Sequence, residues 1–124
     1  MARSQERSQR KASGGRYHSS RTKKKSELAG YPSNSRLADE TKVRSKRTIG
    51  GNAKRGLLTG KTVNVAAKGK TQKLEITNVI ENPANPNLVR RNVITKGTIV
   101  DTKSGKVRIT SRPGQEGALN GILL

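Results

Sequence analysis

The chain has 124 residues and a formal net charge of +19, with 27 Lys and Arg against 8 Asp and Glu, 29% hydrophobic residues and no cysteine. The hydrophobic share falls well short of the usual share of about half, and such a charge excess repels itself unless a polyanion neutralises it. No apolar run approaches a membrane span, and Trp and Phe, which anchor interfacial helices, are both absent, so nucleic acid rather than membrane is the expected partner.

The N-terminus, MARSQERSQRKASGG, contains no hydrophobic segment, so no secretory signal is expected there. Residues 1–55 hold sixteen Lys/Arg against four acids, a net of +12, and only four of Leu, Ile and Val: Leu28, Leu37, Val43 and Ile49. Too little apolar surface is available there to offset the entropy of ordering the chain. Residues 1–41 are therefore expected to be a basic arm, disordered without RNA. Within it, SGGRYHSSRTKKK joins Gly14 and Gly15, which allow close backbone approach, to Arg16, Arg21, Lys23, Lys24 and Lys25, with Arg10 and Lys11 just upstream. That mixture suits a strand-like arm threaded between RNA helices, with charge facing phosphate on several sides. His18, the only histidine, has no second ligand beside it with which to share a metal.

From residue 42 onward the chain is expected to fold as a β-rich globular domain. KVRSKRTI and AKRGLL flank Gly50-Gly51 and predict one or two early strands, bearing Arg44, Lys46, Arg47, Lys54 and Arg55 around Asn52; Arg36 lies just before them. GLLTGKT at 56–62 has the ingredients of a phosphate-binding loop, but three residues rather than four separate Gly56 from Gly60. The expected structure is a turn between strands with Gly60-Lys61 at its tip.

Residues 57–124 hold twenty of Leu, Ile and Val. Val63, Val65 and Ala67 alternate with polar residues; Leu74, Ile76 and Ile80 continue that period with a slip near Asn78. Lys68-Gly69-Lys70 and Ser104-Gly105 read as hairpin tips. Pro83, Pro86 and Pro113 mark loops, and NPNLVRRN can hold one helical turn with Pro86 at its first position. The predicted fold class is all-β: a small antiparallel barrel or curled sheet with a long basic, extended N-terminal arm. In NPANPNLVRRNVITKG the apolar Leu88, Val89, Val93 and Ile94 are expected to anchor the segment while Arg90, Arg91 and Lys96 face an RNA backbone; Arg112 is a further candidate.

The acids of residues 56–124, namely Glu75, Glu81, Asp101 and Glu116, are single rather than paired, so no catalytic residue, metal, cofactor or small-molecule substrate is expected. The only aromatics, Tyr17 and Tyr31, lie outside the β region, which excludes a stacking platform for single strands. Recognition is left to phosphates, 2′-hydroxyls and shape. Composition leaves two classes open: a structural RNA-binding protein with one fixed site, or a free nucleic-acid chaperone or chromatin-type protein.

An ordered series of motifs bears on that choice. SGGR at 13–16, KKKSELAG at 23–30, Glu40-Thr41, GGNAK at 50–54, VIENPANPNLVRRNVITKGTIV at 79–100 and KVRITSRPGQEGALNGILL at 106–124 run through nearly the whole chain. Together they resemble the archaeal members of ribosomal protein number eight of the small subunit, in the archaeal and eukaryotic "e" series. The resemblance implies a non-catalytic, cytoplasmic ribosomal protein acting in translation. Its implied partners are small-subunit ribosomal RNA and neighbouring small-subunit proteins.

Overall fold

The computed structural model describes residues 4–67 and 69–124, and the chain divides into two compact units, Met1–Pro32 and Ser33–Leu124.

Within the first unit the described residues double back on themselves rather than running out as one extended arm. Antiparallel bridges join Ser4 to Leu28 and Arg10 to Arg16, and a short 3-10 helix spans Lys25–Glu27. The inner loop turns at Gly14, whose φ of +83° suits a residue without Cβ. No described residue of this unit is buried. It is held by backbone hydrogen bonds, by Arg21 bridging Glu6 and Glu27, and by Arg7 lying 4.3 Å over the Tyr17 ring.

The second unit contains the seven strands found among the described residues: β1 (Lys42–Arg47), β2 (Ala53–Thr59), β3 (Thr62–Ala67), β4 (Lys70–Glu81), β5 (Ile99–Thr102), β6 (Gly105–Ile109) and β7 (Asn120–Leu123). Strands β3 to β7 form a closed barrel in sequence order. Every pairing around it is antiparallel except the closing one, where β7 lies parallel to β3 with Asn64 opposite Asn120. Strands β1 and β2 make a separate antiparallel ribbon.

The barrel interior is aliphatic. Val63 and Val65 of β3, Ile76 and Val79 of β4, Val100 of β5, and Val107 and Ile109 of β6 point inward, joined by Leu57, Ile94 and Leu119. Their period of two is the one the sequence displays, up to Ile76. At Asn78 the β4–β5 register shifts, and the Asn78 side-chain oxygen accepts a hydrogen bond from the Val79 amide at 2.8 Å. This bulge changes the parity of the strand. Val79 turns into the core and Ile80, expected inside, is 41% exposed.

The hairpin tips fall close to their expected places. Ala67 pairs with Lys70, so the β3–β4 connection is two residues long, with Gly69 at φ +78°; Lys68 lies outside the described residues. Thr102 pairs with Gly105, leaving Lys103-Ser104 as the loop, one residue earlier than the Ser104-Gly105 tip read from the sequence. Gly60-Lys61 does separate β2 from β3.

Candidate nucleic-acid interface

The β1–β2 ribbon is solvated along most of its length. All six residues of β1 are exposed, as are Ala53, Lys54 and Arg55, whereas Gly56 and Leu57 are buried. Strand β2 thus runs from water into the barrel core. Its root is fixed there: the Leu57 amide donates to the carbonyls of Pro113 (2.7 Å) and Glu116 (3.1 Å), and Ser35 Oγ donates to the Leu57 carbonyl (2.6 Å).

Register places Lys46 directly opposite Lys54, Arg44 opposite Gly56, Ser45 opposite Arg55 and Arg47 opposite Ala53. Alternation then puts cations on both faces of the ribbon. No acid occurs from Thr41 to Leu74. Like charges directly across a strand pair destabilise it by a few tenths to about 1 kcal/mol. An isolated protein gains nothing from that arrangement; a polyanion against the ribbon reverses its sign.

A second basic element is the loop after β4. A 3-10 helix spans Pro86–Arg91 with Pro86 at its first position, and the Asn85 side chain caps it by accepting the Asn87 amide at 2.9 Å. Asn92, in the left-handed region at φ 50°, ends it. Beneath lies a buried polar network: Asn82 Oδ1 accepts from the Ala84 amide (3.1 Å) and from Thr95 Oγ1 (3.0 Å), while Asn82 Nδ2 donates to the Val93 carbonyl (3.3 Å). Val93 and Ile94 are buried and Val89 packs on the core, so three of the four expected anchors are in place, while Leu88 is only half-buried; Arg90, Arg91 and Lys96 are exposed.

Residues 35–37 stitch this loop to the root of the ribbon. Arg36 forms a parallel bridge to Thr59 and an antiparallel bridge to Val93, the Leu37 amide donates to the Asn92 carbonyl, and the Ile94 amide donates to the Ser35 carbonyl. Arg36 therefore shares one backbone frame with the loop and the base of β2. Arg112 is also exposed; its carbonyl accepts from the Gln115 and Glu116 amides.

Other candidates have local partners. Asn52 Nδ2 donates to the Ile49 carbonyl at 3.3 Å, shaping the ribbon tip. In the first unit, Arg10 donates to the Gly14 carbonyl at 2.8 Å, Lys11 lies 5.6 Å from the Tyr17 ring centre, and Arg21 is turned onto two carboxylates. Gly15, Arg16, Lys23, Lys24 and Lys25 are exposed. Lys61, the lysine of the phosphate-loop look-alike, donates to Asp39 Oδ1 at 2.7 Å; that hydrogen bond and the accompanying charge hold the Asp39 carboxyl below, and the Lys61 ammonium above, their ordinary values.

Sequence reading passed over the exposed cations of the barrel wall, including Lys73, Lys106 and Arg108. Their signal was present, since Arg108 alternates with the inward Val107 and Ile109. Among the described residues no three of His, Asp and Glu converge as a metal-binding set, and no helix is long and apolar enough to cross a membrane.

A family model described as ribosomal protein S8e matches residues 4–124. The chain is 50% identical to the small ribosomal subunit protein eS8 of Methanobrevibacter smithii over the full length of both chains. It is 48% identical to the proteins of the same name from Methanocorpusculum labreanum and Methanoculleus marisnigri, over 97% of this chain and of each relative. With a match running through the basic first unit, the ribbon and the whole barrel, this chain belongs to the ribosomal protein S8e family.

Proposed function

We propose that the chain is a structural constituent of the archaeal small ribosomal subunit that binds and stabilises folded ribosomal RNA through phosphate and shape contacts, without catalysis. The observation that carries the RNA reading is Lys46 facing Lys54 on a solvated, acid-free ribbon, a pairing that becomes favourable against a phosphate backbone. Arg36, Arg90, Arg91, Lys96 and Arg112 extend the contact surface over the barrel, guanidinium groups gripping phosphate oxygens in pairs and lysines acting as point charges. Neighbouring small-subunit proteins are the second class of partner, supported by the exposed Ile122 and Leu123 on β7. The site of action is the cytoplasmic ribosome.

Residues 1–41 act as the arm in this reading, with Arg10, Lys11, Arg16, Arg21 and Lys23 to Lys25 meeting RNA at a segment whose Gly14 and Gly15 permit close approach. The first unit has no buried residue among those described, so its bridges and surface ion pairs, of which Arg21–Glu27 is the partly sheltered one, stabilise it weakly in water. Amide exchange on the free chain is expected to show unprotected amides in residues 4–32 and protection through β3 to β7. Protected amides in the first unit would refute ordering by RNA.

The function itself is tested by sedimenting a native lysate in high salt and probing the fractions for this protein. Retention in stoichiometric amount with the small subunit is expected, because a protein held by folded RNA resists conditions that strip simple polyanion binders. Release into light fractions, or travel with DNA, would instead favour a free chaperone or chromatin-type protein.

A further inference from the structure

Among the described residues, Ile49 has no packing partner that explains it. Its surface is 98% exposed at the tip of the β1–β2 ribbon, yet the tip around it is closely built. The Thr48 amide and Thr48 Oγ1 both donate to the Asn52 carbonyl, at 2.7 and 3.1 Å, and Asn52 Nδ2 donates back to the Ile49 carbonyl. Gly50 and Gly51, at φ +79° and +75°, complete the turn in conformations that strain other residues. The backbone of Ile49 is thus fixed while its branched side chain stands in water.

The charges nearby define what can cover it. Arg47 and Lys54 bracket the tip, Lys46 faces Lys54, and the nearest acids in sequence are Glu40 and Glu75. The covering surface must be anionic and must offer an apolar patch within a side chain's reach of its charges. Nucleic acid does so, with bases and riboses lying between phosphates. A regular A-form RNA helix does not present base faces there: its major groove is deep and narrow, and its minor groove displays mainly hydroxyls and base edges. An interrupted helix, at a bulge or internal loop, opens the groove to a two-stranded ribbon and exposes an unstacked base. Aliphatic side chains can fill such a gap as a wedge without the aromatic face that stacking requires.

Building on the ribosomal-RNA reading, we propose that Ile49 is an apolar wedge that packs on an unstacked base at an interrupted step of ribosomal RNA, with Lys46, Arg47 and Lys54 gripping the flanking phosphates. The test uses the full-length chain and transcribed small-subunit ribosomal RNA, measuring affinity across a salt series and chemical reactivity of the unpaired bases. Ile49→Ala is expected to weaken binding about tenfold, to change reactivity at one or a few unpaired bases, and to leave the slope of log K against log salt unaltered, because no charge is lost. Ile49→Leu should retain most of the affinity. Lys54→Ala should instead reduce the slope. The melting temperature of both Ile49 variants should match that of the wild type, as the side chain is almost fully exposed. Wild-type affinity and reactivity in Ile49→Ala would overturn the wedge, as would a loss accompanied by a changed salt slope. Failure of the unaltered chain to prefer this RNA over an unrelated transcript would remove the ribosomal reading itself, and the wedge with it.

Discussion

Gly121→Ala is expected to lower the stability of the barrel by about 2–3 kcal/mol, which for a unit of this size moves the melting temperature down by on the order of 10–20 °C. Gly121 sits on β7, opposite Ile109 of β6 and Val65 of β3, and is buried. A Cβ there would stand 2.6 Å from Val107 Cγ1 and 2.8 Å from the Arg108 carbonyl oxygen. The valine is itself fully buried and has little room to rotate, and the carbonyl belongs to the sheet, so relief requires β6 and β7 to move apart at the strand that closes the barrel. Gly30→Ala is the control: nothing lies within 4 Å of its added carbon, and its effect should stay within about 0.5 kcal/mol. Thermal unfolding followed by circular dichroism checks both. An unchanged midpoint for Gly121→Ala would mean that the two strands do not approach as closely as described.

The second large effect concerns binding, and it runs opposite to stability. Lys54→Glu converts the repulsion across the ribbon from Lys46 into an attraction, so the free protein should become more stable by up to about 1 kcal/mol. The same change removes a phosphate contact and adds a repelling charge. Affinity for small-subunit RNA should fall by one to two orders of magnitude, and the slope of log K against log salt should decrease by about 0.7–0.9 for the lost contact. Arg90→Ala with Arg91→Ala provides the comparison on the rigid loop. Weaker binding and a flatter salt dependence are expected at unchanged melting temperature, because Val89, Val93 and Ile94 hold that segment rather than the arginines. Salt-series binding and thermal melts of both variants decide the matter. A fall in melting temperature for the arginine pair would assign it to the fold. Unaltered binding in Lys54→Glu would place the ribbon away from RNA.

Much of the second unit was legible because its physics is local. Alternation in Val63 and Val65 follows from the pleat, Gly60-Lys61 and Gly69 punctuate strands, and Pro86 can open a helical turn but not extend a central strand. Even the break at Asn78 was visible as a slip, although not its outcome, because a bulge decides which parity turns inward only through pairing with β5. Long-range features were hidden. Nothing local to Asn64 announces that it lies beside Asn120, and nothing in KVRSKR says that β1 and β2 stand apart from the barrel.

The site divides in the same way. Exposure of Arg90 and Arg91 followed from their apolar neighbours, whereas the cross-strand placing of Lys46 and Lys54 required the register, and the engagement of Arg21 by Glu6 and Glu27 required the loop to double back. Ile49 was counted among the few aliphatic residues of the first half, but its position in water is a property of the ribbon tip alone.

The parallel seam between β3 and β7 has a consequence in time. Asn64 and Asn120, hydrogen-bonded through their side chains, lie 56 residues apart in the chain. A chain made from its N-terminus therefore presents β3 long before the strand that covers its open edge exists. Closing so wide a loop makes this a late step of folding, and until then β3 is a template for any stray strand. Lys70 and Lys73, both exposed, stand opposite that strand. Positive charge that later faces outward from the barrel can thus serve earlier as a guard, keeping half-made copies from zipping onto one another.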